Sequence, residues 1–232
     1  MYKDVKENLL GTMRLLNYAV DHSIKLFIFM SSGGTVYGQQ QADVMTEDMD
    51  RHPICCYGAT KAAIENYMRL YRSKYGMCTL ALRLANPYGR FQRINAKQGV
   101  IPIFCRKALH NEEIQIFGDG TIERDYISIT DVCSAVGNVF DVYYADFLRG
   151  KALPPEINIG SGVGTSLNEI LYIISNTLDK ELTVRYITGR KIDVKKNVLD
   201  IAKAEQFLKW SPKVSIYDGI PYMLKYFKNY DE

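Results

Sequence analysis

Tyr57 and Lys61 stand four residues apart in Tyr57-Gly-Ala-Thr-Lys61, at the start of a segment whose apolar positions recur at helical spacing. On a helix that interval puts the phenol and the ammonium on one face. A cation beside a phenol favours the phenolate, so a tyrosine with an ordinary pKa of about 10 can act as a base toward an alcohol or sugar hydroxyl. With 17 tyrosines in the chain the spacing alone says little, because a solvated Tyr–Lys pair would look the same. Its surroundings say more. Upstream, the apolar run Leu26 to Met30 ends in the hydroxyl-rich Ser31-Ser32-Gly33-Gly34-Thr35. Downstream, Thr79 to Ala85 ends in Asn86-Pro87-Tyr88-Gly89. Both runs suit strands buried on both faces of a parallel sheet, and open α/β sheets bind ligands at the carboxyl ends of their strands.

The elements that must position these groups follow from periodicity and punctuation. Residues 2–22 carry Val5, Leu9, Leu10, Met13, Leu16, Ala19 and Val20 at helical spacing, so the chain opens on a helix. A loop over residues 39–53 precedes the helix Tyr57 to Tyr75, which Gly76 caps. Val100 to Leu109 reads as a helix, Glu113 to Gly118 and Asp125 to Thr130 as strands, and Asp131 to Tyr144 as a helix with Thr130 or Asp131 at its N-cap. Ile157 to Gly160 is a short strand, Ser166 with Glu169 has the spacing of a capping box, and Thr183 to Ile187 is a further strand. Helices near 200–209 and 216–228 close the order. Strand and helix alternate as in a parallel α/β sheet.

Composition bounds the partners. In 232 residues, 47% hydrophobic and 24% charged, disorder and low-complexity classes are excluded, and the chain can bury a substantial core. A net charge of +3 is too weak and dispersed to argue for nucleic acid. Cys55, Cys56, Cys78, Cys105 and Cys133 include no CxxC pair and no histidine at ligand spacing, which suits reduced thiols in a cytoplasmic protein and no metal site. No apolar run approaches the length of a membrane span, and the N-terminal residues form no apolar signal region.

The Ser-rich strand end, the Tyr/Lys helix and the Asn-Pro strand end, in this order, resemble the extended short-chain dehydrogenase/reductases, and among them the NAD-dependent sugar-nucleotide epimerases of the UDP-glucose 4-epimerase type. Asn8-Leu-Leu-Gly11-Thr12, Gly99-Val-Ile-Pro102, Ile116 to Gly120, Arg124-Asp-Tyr-Ile127, Ile157 to Gly160, Gly189 to Asp193 and Leu199-Asp200 also look like that family. The resemblance implies a partial Rossmann-like, doubly wound parallel sheet with a smaller α/β domain. Residues 1–90 with about 126–160 would be the remainder of the NAD domain, and about 91–125 with 161–232 the sugar-nucleotide domain.

The same resemblance implies Tyr57 as base, with Lys61 lowering its pKa and holding the nicotinamide ribose. Ser32, with Thr35 as the alternative, would bond the reacting hydroxyl, and Ser31 would contact the cofactor. For the substrate it implies Asn86 at the diphosphate or sugar, Gln115 and Phe117 at the uracil, Arg124 and Arg190 at the pyrophosphate and Asp193 at a ribose hydroxyl. Gly33-Gly34 stand where dehydratases of the family carry an acidic pair, which points to epimerisation through a keto intermediate. A homodimer is implied through the opening helix and the helix of Tyr57.

The family's Gly-rich dinucleotide turn has no counterpart in this sequence, which implies that about 80 to 90 N-terminal residues are missing and that an apolar sheet edge is left open. Four readings follow: an epimerase, active or as an inactive fragment, a non-catalytic sugar-nucleotide-binding remnant, an interaction module, or a 4-keto sugar-nucleotide reductase.

Overall fold

A computed structural model describes residues 2–93, 98–189 and 195–230. The chain opens on α1, in which Tyr2–Asp4 runs through a π-helical stretch, Val5–Leu10, into Gly11–Asp21. Then come β1 (Leu26–Ser32), a single turn α2 (Gly33–Val36), β2 (Val44–Met45), the long α3 (Cys56–Tyr75), β3 (Cys78–Leu84) and β4 (Asn86–Tyr88). The second half holds α4 (Val100–Leu109), β5 (Ile114–Phe117), β6 (Glu123–Ser128) and α5, which starts as Ile129–Asn138 and continues through a π-helical Val139–Tyr144 into Ala145–Leu148. It goes on with β7 (Glu156–Ile159), β8 (Gly164–Ser166), α6 (Leu167–Leu178), β9 (Val184–Ile187), β10 (Lys196–Leu199), α7 (Ala202–Leu208) and α8 (Ile216–Tyr230).

The strands form three parallel arrangements. One has the order β1-β3-β7, with Ser31 beside Arg83 and Ser32 beside Leu84. The second has the order β2-β10-β6-β4, with β8 added to β6 as the one antiparallel pairing among the described strands. The third is the pair β5-β9. Near-continuous burial of β3 and β7 is the mark of strands covered on both faces. The doubly wound α/β architecture expected from the sequence is therefore present.

Three apolar clusters hold these layers. Leu80 and Leu82 of β3 and Ile157 and Ile159 of β7 pack with Val36, Tyr143, Leu199 and Trp210. Ile101, Phe104, Ile114, Ile170, Ile174 and Leu224 form a second cluster between α4, α6 and α8. Leu16 and Ala19 of α1 meet Ile64 and Met68 of α3 over Ala81 in the third.

Several local expectations change. The N-cap of α5 is Ser128, whose hydroxyl accepts from Thr130 N at 3.3 Å, rather than Thr130 or Asp131. Strand β6 runs to Ser128, which leaves Thr130 already inside the helix. The Asn86–Tyr88 segment is not only a turn but a short strand, and Pro87 is tolerated because β4 lies at the end of its sheet. At Ser166 the expected cap is present, with its hydroxyl accepting from Glu169 N at 3.1 Å. Gly76 takes φ 63°, the left-handed conformation expected of a helix C-cap.

Candidate active site

The carboxyl ends of β1 and β3 and the start of α3 meet at one cavity of about 640 Å³. Ser32, Tyr57, Asn86 and Arg124 line it, and Gln92, Gln98, Tyr88 and Tyr126 complete much of its wall. A second cavity of about 550 Å³ shares Gly99, Val100, Arg124 and Tyr126 with the first, and Gln115, Phe117 and Lys107 line it. Six of the residues singled out in the sequence thus surround two joined compartments: Ser32, Tyr57 and Asn86 in the first, Gln115 and Phe117 in the second, Arg124 in both. Arg190 and Asp193 lie outside the described residues.

Tyr57 and Lys61 share a face of α3 as their spacing requires, but their electrostatics differ from the expectation. The Lys61 ammonium donates to the carbonyl of Met30 at 2.6 Å and sits 4.3 Å above the ring of Phe29. It lies 5.4 Å from the centre of the Tyr57 ring. Tyr57 is 44% exposed, and its phenol is pushed above the ordinary tyrosine range by burial first and then by the carboxylate of Asp4 and by Cys55. Lys61 is not lowering it in this arrangement. The reason is geometric: β1 has a described neighbour on one side only, and the ammonium turns to a main-chain carbonyl on that strand. Burial lowers Lys61 itself, opposed by Asp4 and Glu65.

The hydroxyls near the strand end divide. Ser32 lines the cavity beside Tyr57. Ser31, expected at the cofactor, is 3% exposed and donates to Glu65 Oε1 at 2.6 Å, so its side chain is committed to the interior. Alternation along β1 explains this, since successive side chains leave opposite faces of a strand. Thr35 belongs to α2, and its carbonyl would lie 2.5 Å from a Cβ placed on Gly58. The hydroxyl of Thr35 is buried with no partner and is not among the groups lining the cavity.

On the other wall, the Asn86 amide donates to the main-chain carbonyl of Asp125 at 2.8 Å. The fully buried Asp125 carboxylate accepts from Ser161 N (2.8 Å) and Oγ (2.7 Å), Gly162 N (3.2 Å) and Leu199 N (3.2 Å). This hub holds Arg124 and Tyr126, its neighbours on β6, against the cavities. Burial pushes the Tyr126 phenol up to about 12, which keeps it a neutral hydrogen-bonding group. Sequence reasoning missed Tyr126, Gln92 and Lys107. Only Tyr126 carried a local signal, as the residue following Arg124-Asp125.

For a dinucleotide, the described residues fit one end. Tyr57 offers a hydroxyl at the cavity, and Lys61, one turn further along α3, carries an ammonium now bonded to the Met30 carbonyl; both groups are of the kind that bonds ribose hydroxyls. The glycine turns are otherwise engaged: a Cβ on Gly33 would lie 2.6 Å from Leu199 Cδ1, and the N–H groups of Ser161 and Gly162 already hold Asp125. Neither is open to a pyrophosphate. Among the described residues no group of His, Cys, Asp and Glu could hold a metal ion, and no helix is long and apolar enough to cross a membrane.

Comparison with known proteins identifies the family and the fold. The profile of the NAD dependent epimerase/dehydratase family matches residues 2–160. A putative UDP-glucose 4-epimerase of Methanocaldococcus jannaschii is 34% identical over 222 residues, covering 96% of this chain and 69% of that protein. A dTDP-4-dehydro-6-deoxyglucose reductase of Escherichia coli is 33% identical, with coverage of 96% and 68%. The crystal structure of a UDP-glucose 4-epimerase from Thermotoga maritima with UDP-glucose superposes with a TM-score of 0.92 at 34% identity, covering all of this chain and 72% of that one.

Proposed function

Because the chain belongs to the NAD-dependent epimerase/dehydratase family, an enzyme family acting on sugar nucleotides, we propose that it inverts the C4 hydroxyl of a UDP-hexose of the glucose/galactose type. The observation that carries this reading is the pair of joined cavities, one beside Tyr57 and Ser32 and the other beside Gln115 and Phe117. The sugar occupies the first and the uracil the second, with the diphosphate at Arg124 where they join. An arginine suits that place, because its fork of donors matches phosphate oxygens.

NAD, when bound, supplies the group that takes a hydride from the sugar carbon and returns it. Tyr57 removes the proton from the hydroxyl at that carbon and later gives it back. Ser32 bonds the same oxygen. Lys61 holds ribose hydroxyls at the nicotinamide end, its ammonium leaving the Met30 carbonyl to do so. The keto sugar turns within the cavity, so that it is reduced on its other face. Gly33 and Gly34 support epimerisation over loss of water, since neither presents an acid to protonate a leaving hydroxyl and the site of Gly33 is filled by Leu199.

The test is to incubate the chain with NAD and UDP-glucose and to follow UDP-galactose by chromatography. Conversion that falls at least ~100-fold in Tyr57→Phe supports the reading. No conversion, together with reduction of a dTDP-4-keto-6-deoxyhexose by the reduced cofactor, replaces it with the reductase reading suggested by the Escherichia coli relative.

The apolar groove lined by Val5, Leu9, Ile54, Ala59 and Ala63, with Leu15, Tyr18 and Leu70 exposed on the same two helices, supports pairing with a second copy through α1 and α3. Sedimentation at the mass of a dimer checks this, and a monomer at high concentration rejects it.

A further inference from the structure

Tyr57, Lys61 and Glu65 stand at intervals of four along α3, on one face of the helix. Two of the three are bonded to the residues of β1 that immediately precede Ser32. Lys61 donates to the carbonyl of Met30 at 2.6 Å, and Glu65 accepts from the hydroxyl of Ser31 at 2.6 Å. The third, Tyr57, lines the cavity together with Ser32. The end of β1 and the start of α3 are therefore tied to each other just beneath the two hydroxyls of the site.

The two ties differ in permanence. The ammonium of half-buried Lys61 gives up Met30 when it holds a ribose. Ser31 is 3% exposed and Glu65 fully buried, so their bond is closed to water and to ligands. Its length is that of a hydroxyl bonded to a carboxylate, one of the stronger kinds of hydrogen bond. The carboxylate is itself clamped to the sheet, because Arg83, which lies beside Ser31 in the β1–β3 register, donates to it at 3.1 and 2.8 Å. Once Lys61 has turned to the ribose, the bond from Ser31 is the hydrogen bond that remains between β1 and α3 among the described residues.

We propose that Ser31 is a positioning residue of the reaction: through Glu65 it fixes the end of β1 against α3, and so holds the Ser32 hydroxyl where it and the Tyr57 phenol reach the same substrate oxygen. The inference rests on the epimerase reading above. Ser31 acts only through its neighbours, since its side chain leaves the opposite face of β1 from that of Ser32. Proton removal needs the base within about 2.6–3.2 Å of the substrate oxygen, and a misplacement of ~1 Å can cost ~100-fold in rate. Folding asks less of this bond, because Arg83 and Arg51 hold Glu65 with or without the serine. Loss of the hydroxyl leaves the helix in place and loosens its angle to the strand end.

The experiment measures conversion of UDP-glucose to UDP-galactose with NAD by the full chain and by Ser31→Ala, Ser31→Thr, Ser32→Ala and the double Ser31→Ala/Ser32→Ala variant, each also titrated calorimetrically with UDP-glucose. The expected result for Ser31→Ala is a roughly tenfold lower kcat at unchanged UDP-glucose affinity and unchanged binding stoichiometry, with recovery in Ser31→Thr, which keeps the hydroxyl. In the Ser32→Ala background the same substitution costs less than about threefold, because the group it positions is already gone. Equal kcat in native chain and Ser31→Ala overturns the positioning role and leaves the epimerase reading standing. So does full additivity of the two serine substitutions, or a fall in kcat matched by a fall in binding stoichiometry, which assigns the loss to folding. No conversion by native chain overturns the epimerase reading and the role of Ser31 with it.

Discussion

Each wall of the cavity is anchored by a buried carboxylate, and the two are neutralised in different ways. Beneath the Tyr57 wall, Glu65 of α3 accepts from Arg83 Nε (3.1 Å) and Nη2 (2.8 Å), Arg51 Nη1 (3.0 Å) and Ser31 Oγ (2.6 Å). Beneath the Arg124 wall, Asp125 accepts from three main-chain N–H groups and one hydroxyl, with no cation among these donors. Glu65 is held by charge, which tolerates some freedom in backbone path. Asp125 is held by the course of the chain itself, and a Cβ on Gly160 would already fall 2.3 Å from its Oδ2. One anchor fixes the angle of a helix against β1 and β3, while the other gathers a turn, β6 and β10.

Glu65→Gln breaks the comparison most severely. It leaves Arg83, itself fully buried, without its carboxylate, and uncompensated buried charge costs about 3–5 kcal/mol. Urea unfolding at neutral pH measures this, and a loss below about 1 kcal/mol would show that the pair contributes little beyond its replacement. Asp125→Asn comes next, at about 2–3 kcal/mol, because an amide NH₂ then faces N–H donors in place of one oxygen.

That second cost depends on pH. Burial raises Asp125 above the unfolded value, so between about pH 4 and its native value the folded chain holds a proton that the unfolded chain has released. Wild-type stability therefore falls relative to Asp125→Asn as pH rises through that window, and the penalty of the substitution is largest at its acid end. A penalty growing with pH there would contradict the assigned burial. Ser31→Ala is the mildest change, about 1 kcal/mol for one bond to a carboxylate already held by two arginines, read in the same unfolding assay. A loss as large as that of Glu65→Gln would mean that the serine, not the arginines, secures the helix.

What the sequence disclosed follows the range of the interactions. Tyr57 and Lys61 were visible as a local spacing, and Ser32 and Asn86 stood at the ends of apolar runs long enough to be recognised as strands, whereas Arg124, Gln115 and Phe117 came only from the family resemblance. Ser31 was assigned to the cofactor by the same resemblance, and its bond to Glu65, 34 residues away, had no local signal to oppose it. The strands β2, β8 and β10, two to four residues long, exist through pairing with distant segments and carry no periodicity of their own. Gln92 was missed for a different reason: a place on the cavity wall is a property of its surroundings, and nothing in Arg90-Phe91-Gln92 announces it.

The bond from Lys61 to the carbonyl of Met30 has a consequence for colloidal behaviour as well. Met30 is 39% exposed on an outer strand, and such an edge with a free acceptor invites strands of other molecules to extend the sheet. The ammonium occupies that acceptor and sets a positive charge over Phe29 beside it. An incoming strand would have to displace and desolvate that charge before forming its first bond at Met30. The same contact thus disfavours addition of a further strand at Met30.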